Sequence, residues 1–124
     1  MTDARREAEI AARLDQMTAM GMWEWRLHAF DGLHLTLAGG QDMTYSHFAQ
    51  ARFRDVTYVS CPVRMKHPRF RLATEHEARV SGATDALEPG TTAIAIELAT
   101  GNAFEHLSVI VAASVELTEG VFRY

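Results

Sequence analysis

The stretch FEHLSVIVAASVEL, residues 104–117, decides how this chain is read. Leu107, Val109, Val111, Ala113, Val115 and Leu117 recur at every second position, the period of a strand. The alternate face, His106, Ser108, Ile110, Ala112, Ser114 and Glu116, is polar at its ends and apolar at Ile110 and Ala112. A strand apolar on both faces is covered on both, so the stretch predicts an interior strand of a sheet. Ala112 and Ala113 would tolerate a helix, but the valine density and the lack of proline argue for the strand.

Alternation recurs on both sides of this stretch. Upstream, residues 92–99 place Ile94, Ile96 and Leu98 inward, and Gly101-Asn102 supplies the turn between the two strands. Downstream, residues 121–124 predict a last short strand. Further back, Trp23, Trp25, Leu27 and Ala29 alternate with Glu24, Arg26 and His28, and Leu33, Leu35 and Leu37 alternate with His34 and Thr36. A two-residue Asp31-Gly32 turn would put the two apolar faces on opposite sides. A three-residue loop, Phe30-Asp31-Gly32 with Gly32 left-handed, restores them to one side. That register pairs Ala29 with Leu33, Leu27 with Leu35 and Trp25 with Leu37, and sets His28 opposite His34.

Residues 38–44 read as a loop around Gly39-Gly40. Tyr45, His47, Ala49, Ala51 and Phe53 then share an inward face, and a tight Arg54-Asp55 turn predicts a hairpin pairing Phe53 with Val56 and Ala51 with Tyr58. Pro62 ends that strand, residues 63–69 form a basic loop, and Phe70 and Leu72 make a short strand. Two helices complete the pattern. Residues 3–20 carry Ile10, Leu14 and Met17 on one stripe, with Thr2 or Asp3 as cap and Gly21 beyond the end. Thr74 and Glu77 form a capping box for a short helix near residues 75–81. The expected fold is therefore α+β and a single domain over residues 1–124. An antiparallel sheet of about six or seven strands, meandering and curved towards a roll, carries the N-terminal helix on one face.

Composition narrows the function classes. No apolar run approaches the roughly 20 residues that span a bilayer. Cys61 is the only cysteine, so no internal disulfide forms, and residues 1–14 mix both charge signs without an apolar signal core. Together these predict a cytoplasmic protein. Lys66 is the only lysine beside eleven arginines, a bias expected of a GC-rich bacterial genome. A net charge of −4 disfavours nucleic acid as a partner. That total conceals a positive segment: residues 52–71 hold Arg52, Arg54, Arg64, Lys66, Arg69 and Arg71 against Asp55 alone, a balance of +5.

Five groups of residues merit a chemical reading. Arg64, Lys66, His67, Arg69 and Arg71 suit an acidic protein or a small anionic ligand; the plainer reading is that they offset the acidic remainder of the chain. His28 and His34, facing each other across a strand pair, suit a shared metal, with Glu24 a distant third ligand; the plainer reading is a solvated face. Cys61 reads as a small buried hydrophobe rather than a nucleophile. Gly39-Gly40 and Gly90-Thr91-Thr92 read as turns, because no Gly-Lys-Ser/Thr follows them. Trp23 and Trp25 read as core. No nucleophile elbow, zinc motif or nucleotide fingerprint occurs, no motif requires a cofactor, and none is expected.

The expectation is a non-catalytic binding module that works through its basic loop, of the type exemplified by toxin-neutralising immunity proteins. A homodimer is the natural cover for the outer face of the first hairpin. The alternative is a small metal-dependent or ligand-binding enzyme using His28 and His34.

Overall fold

The computed structural model describes residues 3–43, 46–98 and 108–123. Thr2, Tyr45, the Gly101-Asn102 turn, residues 104–107 and Tyr124 lie outside them. The described residues form two helices and nine strands: α1 (Asp3–Ala19), β1 (Glu24–Phe30), β2 (Leu35–Gly40), β3 (Ser46–Arg54), β4 (Tyr58–Ser60), β5 (Arg64–Lys66), β6 (Arg69–Leu72), α2 (Glu75–Val80), β7 (Thr92–Glu97), β8 (Ser108–Ala112) and β9 (Ser114–Arg123). The fold is α+β with antiparallel pairing throughout, as expected. The strands form two sheets rather than one, ordered β5-β1-β2-β3-β9 and β4-β8-β7-β6.

The deciding stretch explains the division. β8 is an interior strand, paired to β4 and β7, and all five of its residues are buried. Its run does not continue unbroken to Leu117. The chain breaks at Ala113, whose N–H donates to the Arg54 carbonyl at 2.8 Å, and restarts as β9 in the other sheet. The break shifts the parity. Ile110, Ala112 and Val115 belong to the main core, whereas Val109 and Val111 pack with Ala78, Ala83 and Ala93 beneath α2 and the 3₁₀ turn Ala83–Ala86. Apolar residues on both faces thus correctly signal two covers, but the cover of each face differs from the one alternation predicts.

A second crossing lies at Asp55, which is left-handed at φ 54°. β3 does not turn back on β4: it pairs with β2 and β9, while Tyr58 faces Val111 of β8. The expected Phe53–Val56 hairpin is therefore absent. Both residues enter the main core, Phe53 from β3 and Val56 from the link between β3 and β4.

α1 closes the open side of this core with Ile10, Leu14 and Met17, all at most 2% exposed. Each such burial contributes about 1.5–3 kcal/mol before entropy is counted. Thr18 fixes the helix to β6: its hydroxyl accepts from the Phe70 N–H at 2.9 Å and donates to the Phe70 carbonyl. Arg6 reaches Thr92 and the Ala113 carbonyl, tying α1 to the place where the chain changes sheets. α2 forms where its capping box predicts: the Thr74 hydroxyl accepts from the Glu77 N–H, and the Glu77 carboxylate accepts from the Thr74 N–H. No described helix is long and apolar enough to cross a membrane.

The first hairpin departs from its expected register. Leu27 pairs with Leu37 and Trp25 with Gly39, two places from the expected partners, and a bulge at His28 separates Leu27 from Ala29. The loop spans residues 31–34, because the Asp31 carboxylate accepts from the N–H groups of both Leu33 and His34 and holds them out of the ladder. Gly32 is left-handed at φ 90° as expected, but Leu33 is half exposed. Leu35, Leu37 and Trp25 are inward. Trp23, expected inward, is 49% exposed because it precedes β1 and strand parity does not extend to it.

Candidate functional site

The expected basic loop is partly a strand. Met65 is 1% exposed and enters the core, so Arg64 and Lys66 on either side of it point out. Pro62 and Pro68 lie just outside β5 and limit its length. β5 forms one edge of the five-stranded sheet. It is pinned at its ends by the Leu27 N–H donating to the Val63 carbonyl at 2.8 Å and the His67 N–H donating to the Trp23 carbonyl at 3.0 Å.

The β1–β5 register brings four charges onto one outer face, with Glu24 opposite Lys66 and Arg26 opposite Arg64. Glu24 is claimed by its strand neighbour: Arg26 Nε and Nη2 both donate to one Glu24 carboxylate oxygen, at 3.0 and 2.6 Å. Among the described residues no ion pair engages Arg64, Lys66 or Arg69. Beside this face lies an open pocket of about 510 Å³ bordered by Trp23, Arg26, Gln41, Asp42, Met43 and Arg64, with Glu24 on its wall. His67 is left-handed at φ 46° and sets its ring edge-on against Trp23, centroids 4.5 Å apart.

The remaining cations of the +5 segment are elsewhere. Arg71 is clamped in the chain: Nη1 and Nη2 donate to the two Glu77 oxygens at 2.6 Å each, and Nε donates to Glu97 at 3.1 Å. Arg52 and Arg54 lie on β3, separated from β5 by β1 and β2, and Arg54 makes a two-point contact with Glu116. The structure therefore sets Arg64, Lys66 and His67 on the edge strand β5 and the turn after it, with Arg69 opening β6 at the edge of the other sheet, and places Arg71 in a separate, internally matched cluster.

The other candidates resolve as follows. His28 and His34 do not face each other: His28 occupies the bulge and His34 the loop, where its Nδ1 lies 3.4 Å from the Asp55 N–H. His28 instead lies beside His47, ring centroids 5.2 Å apart. Alternation groups His47 with Ala49 and Ala51, and its burial agrees; the β3–β9 bulge lies on β9, where Gly120 and Val121 stand opposite Phe48, and the Gln50 side-chain amide lies 2.9 Å from His47 Nε2. There His47 stacks on Phe122 and is 2% exposed. No three His, Cys, Asp or Glu side chains among the described residues gather to hold a metal. Cys61 is half-buried against the main core, and burial pushes its thiol pKa up, away from the reactive thiolate. Gly39 and Gly40 are strand residues, not a loop. Gly90 is a turn at φ 86°, and Thr91 folds back on Glu88.

Burial, and then the charges of His28 and Arg26, hold the His47 pKa below its ordinary value near 6.5. The unfolded chain therefore takes up a proton first as pH falls, so this group's stability contribution is complete above pH 6.5 and lost below it. Urea unfolding from pH 7.5 to 5.0 should show a decline that His47→Gln flattens; equal pH dependence in both proteins would refute the assignment.

Compared with known proteins, the chain matches no protein family, no curated protein and no solved structure.

Proposed function

We propose that this protein is a non-catalytic binding module that recognises an acidic partner along β5 and the turn after it. One observation carries the reading. Arg64 and Lys66 on the edge strand β5, and Arg69 at the start of β6, the edge strand of the other sheet, are exposed close together in the chain without ion-pair partners among the described residues, while Arg26, Arg54 and Arg71 are each matched. Unmatched cations attract an acidic surface from a distance and fix its register on contact. A short, charged edge also protects a sheet from unwanted pairing, and the two roles differ in what binds. The type of protein is a small capture module such as an immunity protein, by analogy of size and absent catalytic motif, and the same reading places it in a bacterial cytoplasm.

The test uses a fluorescent polyglutamate peptide and anisotropy at low salt. The wild type should bind it, and raising salt from about 50 to 200 mM should weaken binding as screening grows. Changing Arg64, Lys66 and Arg69 together to Ala should weaken it about threefold to a hundredfold, from three exposed contacts of roughly 0.2–1 kcal/mol each. A control removes the same charge at the exposed Arg13, Arg79 and Arg123. Equal loss in the control would reduce the effect to net charge and refute the edge as the site.

A further inference from the structure

We infer that the pocket on the outer face of β1 and β5 binds a small aromatic anion, its carboxylate or phosphate held by Arg64 and Arg26 and its ring set against Trp23. The inference rests on the basic-edge reading through Arg64 and goes past it in naming a small ligand and a second wall.

Three observations converge. First, Arg26 and Arg64 are directly opposed in the ladder. Like charges opposite each other destabilise an antiparallel pair, and rules broken locally tend to mark functional positions. Of the two carboxylates bordering the pocket, Glu24 is bound to Arg26 and Asp42 is already engaged within the chain. That leaves Arg64 as the unmatched charge on the pocket wall among the described residues. Arg26 commits Nε and Nη2 to Glu24, so its Nη1 donors remain for a second acceptor. Guanidinium groups suit carboxylate and phosphate because their planar donors engage two oxygens at once.

Second, Trp23 is a large ring 49% exposed, and it is held in place rather than loose. Its backbone N–H donates to the Gln41 side chain at 3.1 Å, its carbonyl accepts from the His67 N–H, and the His67 ring packs nearly perpendicular to the indole. His67 occupies a left-handed conformation to make that support, a local strain of the kind found where a ligand wall is positioned. Third, a pocket of about 510 Å³ falls in the range of small-molecule sites.

The test follows the two tryptophan indole N–H signals of ¹⁵N-labelled full-length protein. Trp23 borders the pocket, while Trp25 is buried and serves as internal control. Phenyl phosphate or benzoate should move the Trp23 signal along a saturable curve and leave Trp25 unmoved. Saturation by phenyl phosphate alone assigns phosphate, by benzoate alone assigns carboxylate, and either supports the site. Arg64→Ala should weaken binding at least about tenfold, the effect of losing one charge-assisted contact, with the amide spectrum otherwise retained because the side chain is exposed. Equal saturation by benzyl alcohol would overturn the role of charge, and equal affinity for inorganic phosphate would overturn the aromatic wall. No Trp23 shift with any probe would overturn the site. If polyglutamate still binds in that case, the basic edge stands and only the pocket falls.

Discussion

Trp25→Ala is expected to lower the free energy of unfolding by about 3–5 kcal/mol, the cost of removing a large ring from a closed core. That is a large share of the roughly 5–15 kcal/mol that holds a domain together. The ring is 1% exposed, meets Phe70 edge-on with centroids 5.5 Å apart, and lies across the strand pair on Gly39. A Cβ built on Gly39 would stand 2.8 Å from the indole ring, closer than real contacts allow. Gly39→Ala should therefore cost about 1–3 kcal/mol by overpacking. The two sites should be coupled, with Gly39→Ala costing less once Trp25 is Ala, because neighbours in contact are not additive. Urea unfolding of the two single variants and the double variant reads all three values. A Gly39→Ala protein as stable as wild type would show that the indole does not rest on residue 39.

The second large effect lies in the clamp between β6, β7 and α2. The paired Arg71 guanidinium, with the Thr74 N–H, holds the Glu77 carboxyl down to about 2 from its ordinary value near 4.5. A carboxyl with a depressed folded-state value stabilises the fold above its unfolded value. That contribution is therefore complete above about pH 4.5 and disappears as pH falls towards 2. The clamp is partly solvated, so its contribution is on the order of 1–3 kcal/mol. Glu77→Gln keeps an acceptor for the capping box while removing the charge. At pH 7 the variant should be less stable by that amount, and the two proteins should converge by about pH 2. A constant gap between pH 7 and pH 2 would mean that the charge of Glu77 contributes nothing through Arg71.

The candidate site was only half legible in the sequence. A cluster of basic residues between Pro62 and Pro68 is a local fact, and so is the alternation that turns Met65 in and Arg64 and Lys66 out. Which arginines remain unmatched is not local. Arg71 lies two residues from Arg69, yet its side chain reaches Glu97, the residue opposite Arg69 in the β6–β7 ladder, and Glu77 on α2, partners that only the second sheet and its helix bring within reach. Trp23 could not be placed by parity because it lies outside the strand. The one signal pointing to it was its position just after the helix-ending Gly21.

The registers failed for a related reason. Alternation reports which face a residue occupies only while each residue advances the strand by one step. A bulge inserts a step without altering composition, so His28, the Gly120-Val121 bulge of β9 and the break at Ala113 each shifted the pattern unseen. The bulge at His28 replaced the expected pairing of His28 with His34 by a His28–His47 neighbourhood.

What the residues alone determined was therefore local: α1 and its buried stripe, the capping box of α2, the strands around Ile94 and Ile110, and a basic stretch ending near Pro68. These rest on side-chain period and on caps, which need only near neighbours. The tertiary structure decided which edges pair, where the chain crosses between sheets, and which charges meet. Those outcomes depend on contacts between distant segments, where loop closure and shared burial outweigh local preference.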